Sequence, residues 1–225
     1  MASRDARSLG EQVFHRIAEA IVVDELPPGM RVRDVALGQR FHVSRSPVRE
    51  ALHRLERIGL VEILPSRTTQ VTIVNDQTVA QTLAYAGYQA GLAVRQSLPR
   101  LTASERRQAL DLIDEVAQQA DDPARGSAAR RALFSFFSAH SGNAVHHAHM
   151  RDMEYAFERN LRSVVLPLGP IDRRCLAGLR EATRRGDGDD GERWVRVLHG
   201  LAPLPASEED PGISDGAPEP PAVRP

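Results

Sequence analysis

The run from Val43 to Leu60, Val-Ser-Arg-Ser-Pro-Val-Arg-Glu-Ala-Leu-His-Arg-Leu-Glu-Arg-Ile-Gly-Leu, leaves the chain little choice of local structure. Val48, Ala51, Leu52, Leu55 and Ile58 recur at three- and four-residue steps, so a helix here carries one apolar stripe. Arg45, Arg49 and His53 fall on another side of the same helix. Ser44 or Ser46 can cap its start, Pro47 suits a first turn whose N–H needs no intrahelical partner, and Gly59 suits its end. One face must pack and another stays free and basic. A short helix with arginines in its first two turns fits the DNA major groove, where guanidinium forks pair with guanine O6 and N7. A solvated basic face on an ordinary surface helix is the alternative, and the neighbouring segments decide between the two.

Upstream, Val13, Phe14, Ile17, Ile21 and Val22 repeat at helical spacing and predict a first helix from Gly10 to about Asp24. Leu26-Pro27-Pro28-Gly29 ends it, with Pro28-Gly29 placed as the middle of a type II turn. A second helix is predicted from Val32 to Phe41, with Val32, Val35, Ala36, Leu37 and Phe41 facing inward. His42 stands at the turn that follows, where it tolerates a left-handed backbone better than a bulky residue does. Downstream, Leu60–Leu64 and Gln70–Val74 are β-rich runs joined by Pro65-Ser66-Arg67-Thr68-Thr69, which reads as a hairpin. Helix, tight turn, basic helix and hairpin together make a winged helix-turn-helix over residues 1–75. The wing tip can place Arg67 against a phosphate or into the minor groove.

Formal net charge is -1, so affinity for nucleic acid has to come from a local patch. All 29 basic residues are arginine, which makes every basic contact fork-shaped. The single Cys175 excludes an intrachain disulfide and is expected to be a small core residue in a reducing compartment. No leader-like stretch and no apolar run long enough to span a bilayer occur, so a soluble cytoplasmic protein without membrane contacts is expected. No nucleophile elbow, phosphate loop or paired-carboxylate signature is found, and the chain is read as neither an enzyme nor a cofactor protein.

From Asp76 the turn signals thin out and apolar residues take helical spacing, so the fold class is mainly α, with an all-α bundle over residues 76–201. Helices are predicted near 76–97, 103–120, 127–140, 143–164, 172–186 and 190–200, with Thr102-Ala103-Ser104-Glu105 as a capping box. Residues 202–225 are Pro- and acid-rich and are expected to be a disordered tail. His140, His146, His147 and His149 crowd one stretch; His146 and His149 share a helical face and are a possible metal pair, but no carboxylate stands at partner spacing and a surface histidine run is the commoner arrangement. Phe134, Phe136, Phe137, Tyr155 and Phe157 read as core or dimer contacts.

The sequence resembles the GntR family of bacterial transcription regulators in Leu26-Pro27-Pro28-Gly29, in Val43 to Leu52, and in Leu55-Glu56, Ile58-Gly59-Leu60-Val61 and Pro65-Ser66-Arg67. The resemblance covers residues 10–75 and implies that Arg45 and Arg49 contact bases. It further implies that Ser44 and Ser46 contact backbone or bases, that Arg31 or Arg33 contacts phosphates, and that Arg67 and Thr68 form the wing contact. Thr68 and Gly38 depart from the pattern, which has Gly and Ala there. The function implied is sequence-specific binding of double-stranded operator DNA by a homodimer on a short inverted repeat.

The helical region resembles the FCD effector domain of the FadR subfamily at Ser141-Gly142-Asn143, at Gly186-Asp187 and in a final helix bearing His199. Members commonly bind a divalent metal through an Asp and three His beside a carboxylate effector. At the corresponding positions this chain has Arg130, Phe134 and Leu176, with His199 retained if one residue is inserted after Asp187. An Arg and Glu of the first effector helix correspond to Ala84 and Tyr88. The resemblance therefore implies an effector region around Arg130, Phe134 and His199 with no metal site. Arg130 could hold a small organic acid directly, or simply face solvent beside Arg131. Two readings of this region stay open: metabolite sensing, or a module serving only dimerisation or protein interaction.

Overall fold

The computed structural model describes residues 9–65, 68–120, 122–162 and 169–204, and the chain divides after Asn75 into two compact units. The first unit holds α1 (Leu9–Val22), α2 (Asp34–Phe41) and α3 (Arg45–Arg57). It also holds three short strands, β1 (Arg31–Val32), β2 (Val61–Ile63) and β3 (Thr69–Val71). The apolar stripe of α3 packs on α1: Val48, Ala51 and Leu55 are buried against a core that includes Phe14, Ile17 and Ile21. Burying a side chain such as Leu55 contributes roughly 1.5–3 kcal/mol, so this stripe fixes which way the arginines of α3 face. The Arg54 guanidinium lies 4.0 Å from the centre of the Phe14 ring and closes the edge of that core.

The turns follow the predicted chemistry. Gly29 has φ +77°, and Met30 N–H donates to the Pro27 carbonyl at 3.0 Å, as a type II turn requires. His42 ends α2 in the left-handed region at φ 57°, and Gly59 follows α3 at φ +75°. Ser44 occupies the N-cap position of α3 without a side-chain capping bond, and Ser46 lies within the first turn.

Two local expectations are corrected. The second helix begins at Asp34, not Val32, because Val32 is taken into β1 opposite Thr69. Val35 and Ala36 consequently face outward, Val35 being 45% exposed. The hairpin is also a three-stranded antiparallel sheet in the order β1-β3-β2, with Arg31 opposite Gln70 and Glu62 opposite Gln70 on the other side. The Gln70 side chain donates to the Glu62 carboxylate at 2.7 Å.

The second unit is helical: α4 (Asp76–Ser97), a 3-10 turn at Leu98–Arg100, α5 (Ala103–Gln118) and α6 (Pro123–Ala139). It continues with α7 (Ala144–Leu161), α8 (Pro170–Arg185) and α9 (Gly188–Leu198). The Thr102 capping box forms, with Thr102 N–H donating to Glu105 at 2.8 Å and Glu105 N–H donating to the Thr102 hydroxyl at 3.3 Å. Helix α6 starts at Pro123, earlier than the predicted 127, because the Asp122 carboxylate accepts from Ala124 and Arg125 N–H at 3.0 Å each. Pro123 and Pro170 both open helices, where a missing N–H leaves no bond unmade.

α4 packs on α6, α7 and α9, and α9 packs also on α8, around a core that includes Leu98, Ile113, Leu133, Phe137, Leu179 and Val195. The α9 contacts are unusually close because glycines line them. A Cβ on Gly188 would stand 2.2 Å from the Arg95 carbonyl oxygen, and one on Gly178 would stand 2.2 Å from the Trp194 ring. Cys175 is buried, as expected, and burial pushes its thiol up to about 11. No described helix is long and apolar enough to cross a membrane. Of the predicted disordered tail over 202–225, residues 205–225 lie outside the described residues.

Candidate functional site

Packing the apolar stripe of α3 inward turns Arg45 and Arg49, four residues apart, to the open side. They line one concave surface with Arg31 and Arg33 from β1 and its exit, Thr68 beside β3, and Asp34 and Gln39 of α2. The strand that sequence periodicity missed is therefore what brings Arg31 and Arg33 beside α3. Ser44 lines the adjoining shallow surface with Gln39 and His42. Ser46 is exposed but lines neither surface. Arg67, the predicted wing contact, lies outside the described residues.

The two arginines of α3 are held differently. Arg45 donates from Nε and Nη2 to the same oxygen of Asp34, at 3.2 and 2.9 Å. The bond from Arg45 holds the Asp34 carboxyl below the usual carboxylate range, with the backbone N–H of Val35 and the charge of Arg49 acting the same way. The side chain of Arg49 makes no hydrogen bond or ion pair among the described residues, and neither do the side chains of Arg31 and Arg33. This leaves a row of guanidinium forks in the open on a curved surface, a chemistry suited to phosphates and base edges.

In the helical unit the structure brings Arg130 and Phe134, one turn apart on α6, together with the distant His199 around a cavity of about 90 Å³. Leu83, Ala86 and Ala90 of α4 and Met150 and Phe157 of α7 supply most of its apolar wall. The expectation that Arg130 is a plain surface arginine is corrected: it is mostly buried, and desolvation, followed by the charge of Arg131, pulls its pKa down. Phe134 packs at the same time into the core and against the His199 ring, with ring centres 5.6 Å apart. His147 lines this cavity too, with Nδ1 3.1 Å from the Ser138 hydroxyl, which its spacing relative to His146 did not reveal.

His146 and His149, the possible metal pair, have different surroundings. His149 is hydrogen-bonded to the Tyr85 hydroxyl at 2.7 Å, whereas the His146 ring is buried. Among the described residues no three His, Cys, Asp or Glu side chains come close enough to hold a metal ion. Desolvation, then the charges of His149 and His147, lowers the His146 pKa, with the Gln89 backbone acting the opposite way; burial likewise lowers that of His199. Both rings stay neutral in the fold while the unfolded chain takes up protons below about pH 6.5, so the helical unit is at full stability above that pH. That stability is lost as pH falls through the window towards the depressed folded values. The melting midpoint read by Trp194 fluorescence is expected to drop on acidification from about pH 7.5 to 5.5. His146→Leu is expected to stabilise the unit by about 1 kcal/mol at neutral pH and to flatten the dependence; a slope identical to wild type would contradict this assignment.

Comparison with known proteins matches residues 9–71 to the family described as bacterial regulatory proteins, gntR family. The HTH-type transcriptional regulator Mce2R of Mycobacterium tuberculosis is 44% identical over 71 residues, 31% of this chain and 28% of that protein. The HTH-type transcriptional repressor RspR of Escherichia coli is 33% identical over 67 residues, 30% of this chain and 29% of that protein. The chain thus matches less than a third of the length of these curated relatives. The solved structure of E. coli McbR/YncC covers 86% of this chain, with 94% of its own length matched, at a TM-score of 0.61 and 18% identity. A transcriptional regulator GntR from Rhodococcus sp. RHA1 matches to the same extent at a TM-score of 0.60 and 18% identity. At such identity the structural matches speak for the fold alone: a winged helix-turn-helix joined to an all-α unit. Residues 9–71, with α3 as the second helix of their helix-turn-helix, are thus the part of the chain that is similar to the gntR family of bacterial regulatory proteins.

Proposed function

We propose that the protein is a sequence-specific, DNA-binding transcriptional regulator, working in the cytoplasm as a homodimer on a short inverted repeat, its DNA affinity modulated by a small metabolite bound in the helical unit. The observation that carries this reading is the concave face on which Arg45 and Arg49 stand beside Arg31 and Arg33, in a chain whose net charge offers no general attraction to DNA. In this reading Arg45 and Arg49 discriminate bases, while Arg31, Arg33 and Arg67 anchor phosphates with Ser44, Ser46 and Thr68 beside them. Two recognition helices related by a twofold axis address two half-sites, which is why an inverted repeat is expected.

The alternative, a helical unit that only joins subunits or binds another protein, is disfavoured by the lined cavity at Arg130 and His199. Selection of bound sequences from random DNA tests the main reading. A palindromic motif protected by two subunits is the expected outcome, with light scattering giving the stoichiometry. Recovery of unenriched sequence, or protection of a single half-site by a monomer, would overturn it.

A further inference from the structure

The arginine face of the first unit carries an exposed, branched apolar side chain that differs in kind from its neighbours. Among the described residues of that unit the large hydrophobics left exposed are Leu9, Val23, Met30, Val35 and Ile73. Of these, only Val35 lines the concave surface that holds Arg31, Arg33, Arg45 and Arg49. It is 45% exposed, and it also lines the adjoining shallow surface with Ser44. Leu37 and Phe41 fill the inward face of α2, so Val35 stands outside the core. An isopropyl group left in water adds little to stability, and it offers nothing to a phosphate.

One carboxylate ties this valine to Arg45. Asp34 Oδ2 accepts from the Arg45 fork, while Asp34 Oδ1 accepts from the Val35 backbone N–H at 2.8 Å. Because the two bonds use different oxygens, Val35 keeps its place at the start of α2 when Arg45 turns to another acceptor. Of the α2 residues that line the concave surface, Asp34, Val35, Ala36 and Gln39, only Asp34 is charged. The face therefore has, next to the first arginine of α3, a spot suited to an alkyl group. In the major groove the base pairs present hydrogen-bond donors and acceptors, and the one alkyl group among them is the C5-methyl of thymine.

We propose that Val35 reads a thymine, packing its isopropyl group on the C5-methyl of a base pair that neighbours the guanine met by Arg45. Helix α2 then shares base discrimination with α3. The proposal rests on the DNA-binding reading above and adds an apolar reader to its polar ones. Burial of one methyl group against the valine is worth about three- to fivefold in affinity per half-site. Cytosine at the same position lacks the methyl group and loses this contact, and methylation of that cytosine at C5 restores it.

The test uses the full-length protein and the sequence it selects from random DNA. Each thymine of a half-site is replaced in turn by deoxyuridine, which removes the methyl group and keeps the pairing edge, and affinity is read by fluorescence anisotropy at fixed salt. A thymine adjoining a guanine is expected to show a loss of about three- to fivefold. Val35→Ala should bind the thymine site about three- to fivefold more weakly than wild type, bind the uracil site about as well as wild type does, and no longer distinguish the two. The variant should melt no lower than wild type by circular dichroism, since the side chain lies outside the core and alanine suits a helix. Replacing cytosine by 5-methylcytosine at that position should raise the affinity of wild type and not of Val35→Ala.

A motif in which no thymine methyl group matters would overturn the proposal. So would a uracil penalty of equal size in Val35→Ala, because another group would then be reading the methyl, and so would a penalty confined to thymines away from any guanine. Each of these results leaves the DNA reading standing, since a selected motif is needed to obtain it. Failure to select any sequence would remove the DNA reading and this proposal together.

Discussion

Gly188→Ala is expected to destabilise the helical unit by about 3 kcal/mol or more, lowering its melting midpoint by roughly 6 °C or more. The added Cβ would lie 2.2 Å from the Arg95 carbonyl oxygen and 3.0 Å from its carbon, far inside contact distance. A flexible side chain could swing away from such a clash, but this partner is the backbone of α4, so relief requires the two helices to part. Parting them also loosens Gly191 from Leu98 and Val94, and therefore opens the core that α4 and α9 share. Trp194 lies on α9 and is the chain's only tryptophan, so its fluorescence reports this unit selectively. A midpoint within about 1 °C of wild type would show that α9 sits less tightly on α4 than described.

Arg49→Ala is expected to weaken binding to the preferred DNA sequence by about 1–3 kcal/mol and to relax the base preference at one position of each half-site. The Arg49 side chain makes no hydrogen bond or ion pair among the described residues, its charge acting only on nearby Asp34, so the substitution leaves the stripe of Val48 and Leu52 intact. Arg31→Ala and Arg33→Ala should behave differently: each should weaken specific and random DNA about equally and reduce the dependence of log K on log salt by roughly one charge. Salt-matched titrations with both DNA types separate the cases. An equal loss on specific and random DNA for Arg49→Ala would move it from base reading to phosphate anchoring.

How much of this could be read from residues alone depends on how local each signal is. The helix over Arg45–Arg57, the Pro28-Gly29 turn, the left-handed His42 and the Thr102 capping box are set within a few residues, and the structure has them where the spacing placed them. Arg31–Val32 forms a strand too short to show alternation, so its pairing with β3 was invisible and Val32 was assigned to the helix. The predicted ranges 127–140 and 172–186 leave out Pro123 and Pro170, although proline is at home in a first helical turn, and the Asp122 cap decides for α6. The cavity is the least local feature. Nothing in the repeat of Phe134, Phe136 and Phe137 tells that one of them meets a histidine 65 positions later, and Arg130 beside Arg131 looks like an ordinary exposed pair until the fold buries one and satisfies the other.

The Asp34 contact changes what it means for Arg45 to meet DNA. Arg45 does not wait as a bare cation, because its Nε and one terminal nitrogen are already engaged by a carboxylate oxygen. Docking on DNA is then an exchange of partners, and the incoming acceptors have to displace Asp34 from its place at the guanidinium. A lone phosphate offers little beyond what Arg45 gives up, whereas a guanine edge supplies two acceptors in the plane of the fork. On the proposed DNA-binding reading, Asp34 would be an internal competitor for the Arg45 fork, and an acidic residue on the helix before α3 would share in setting its selectivity.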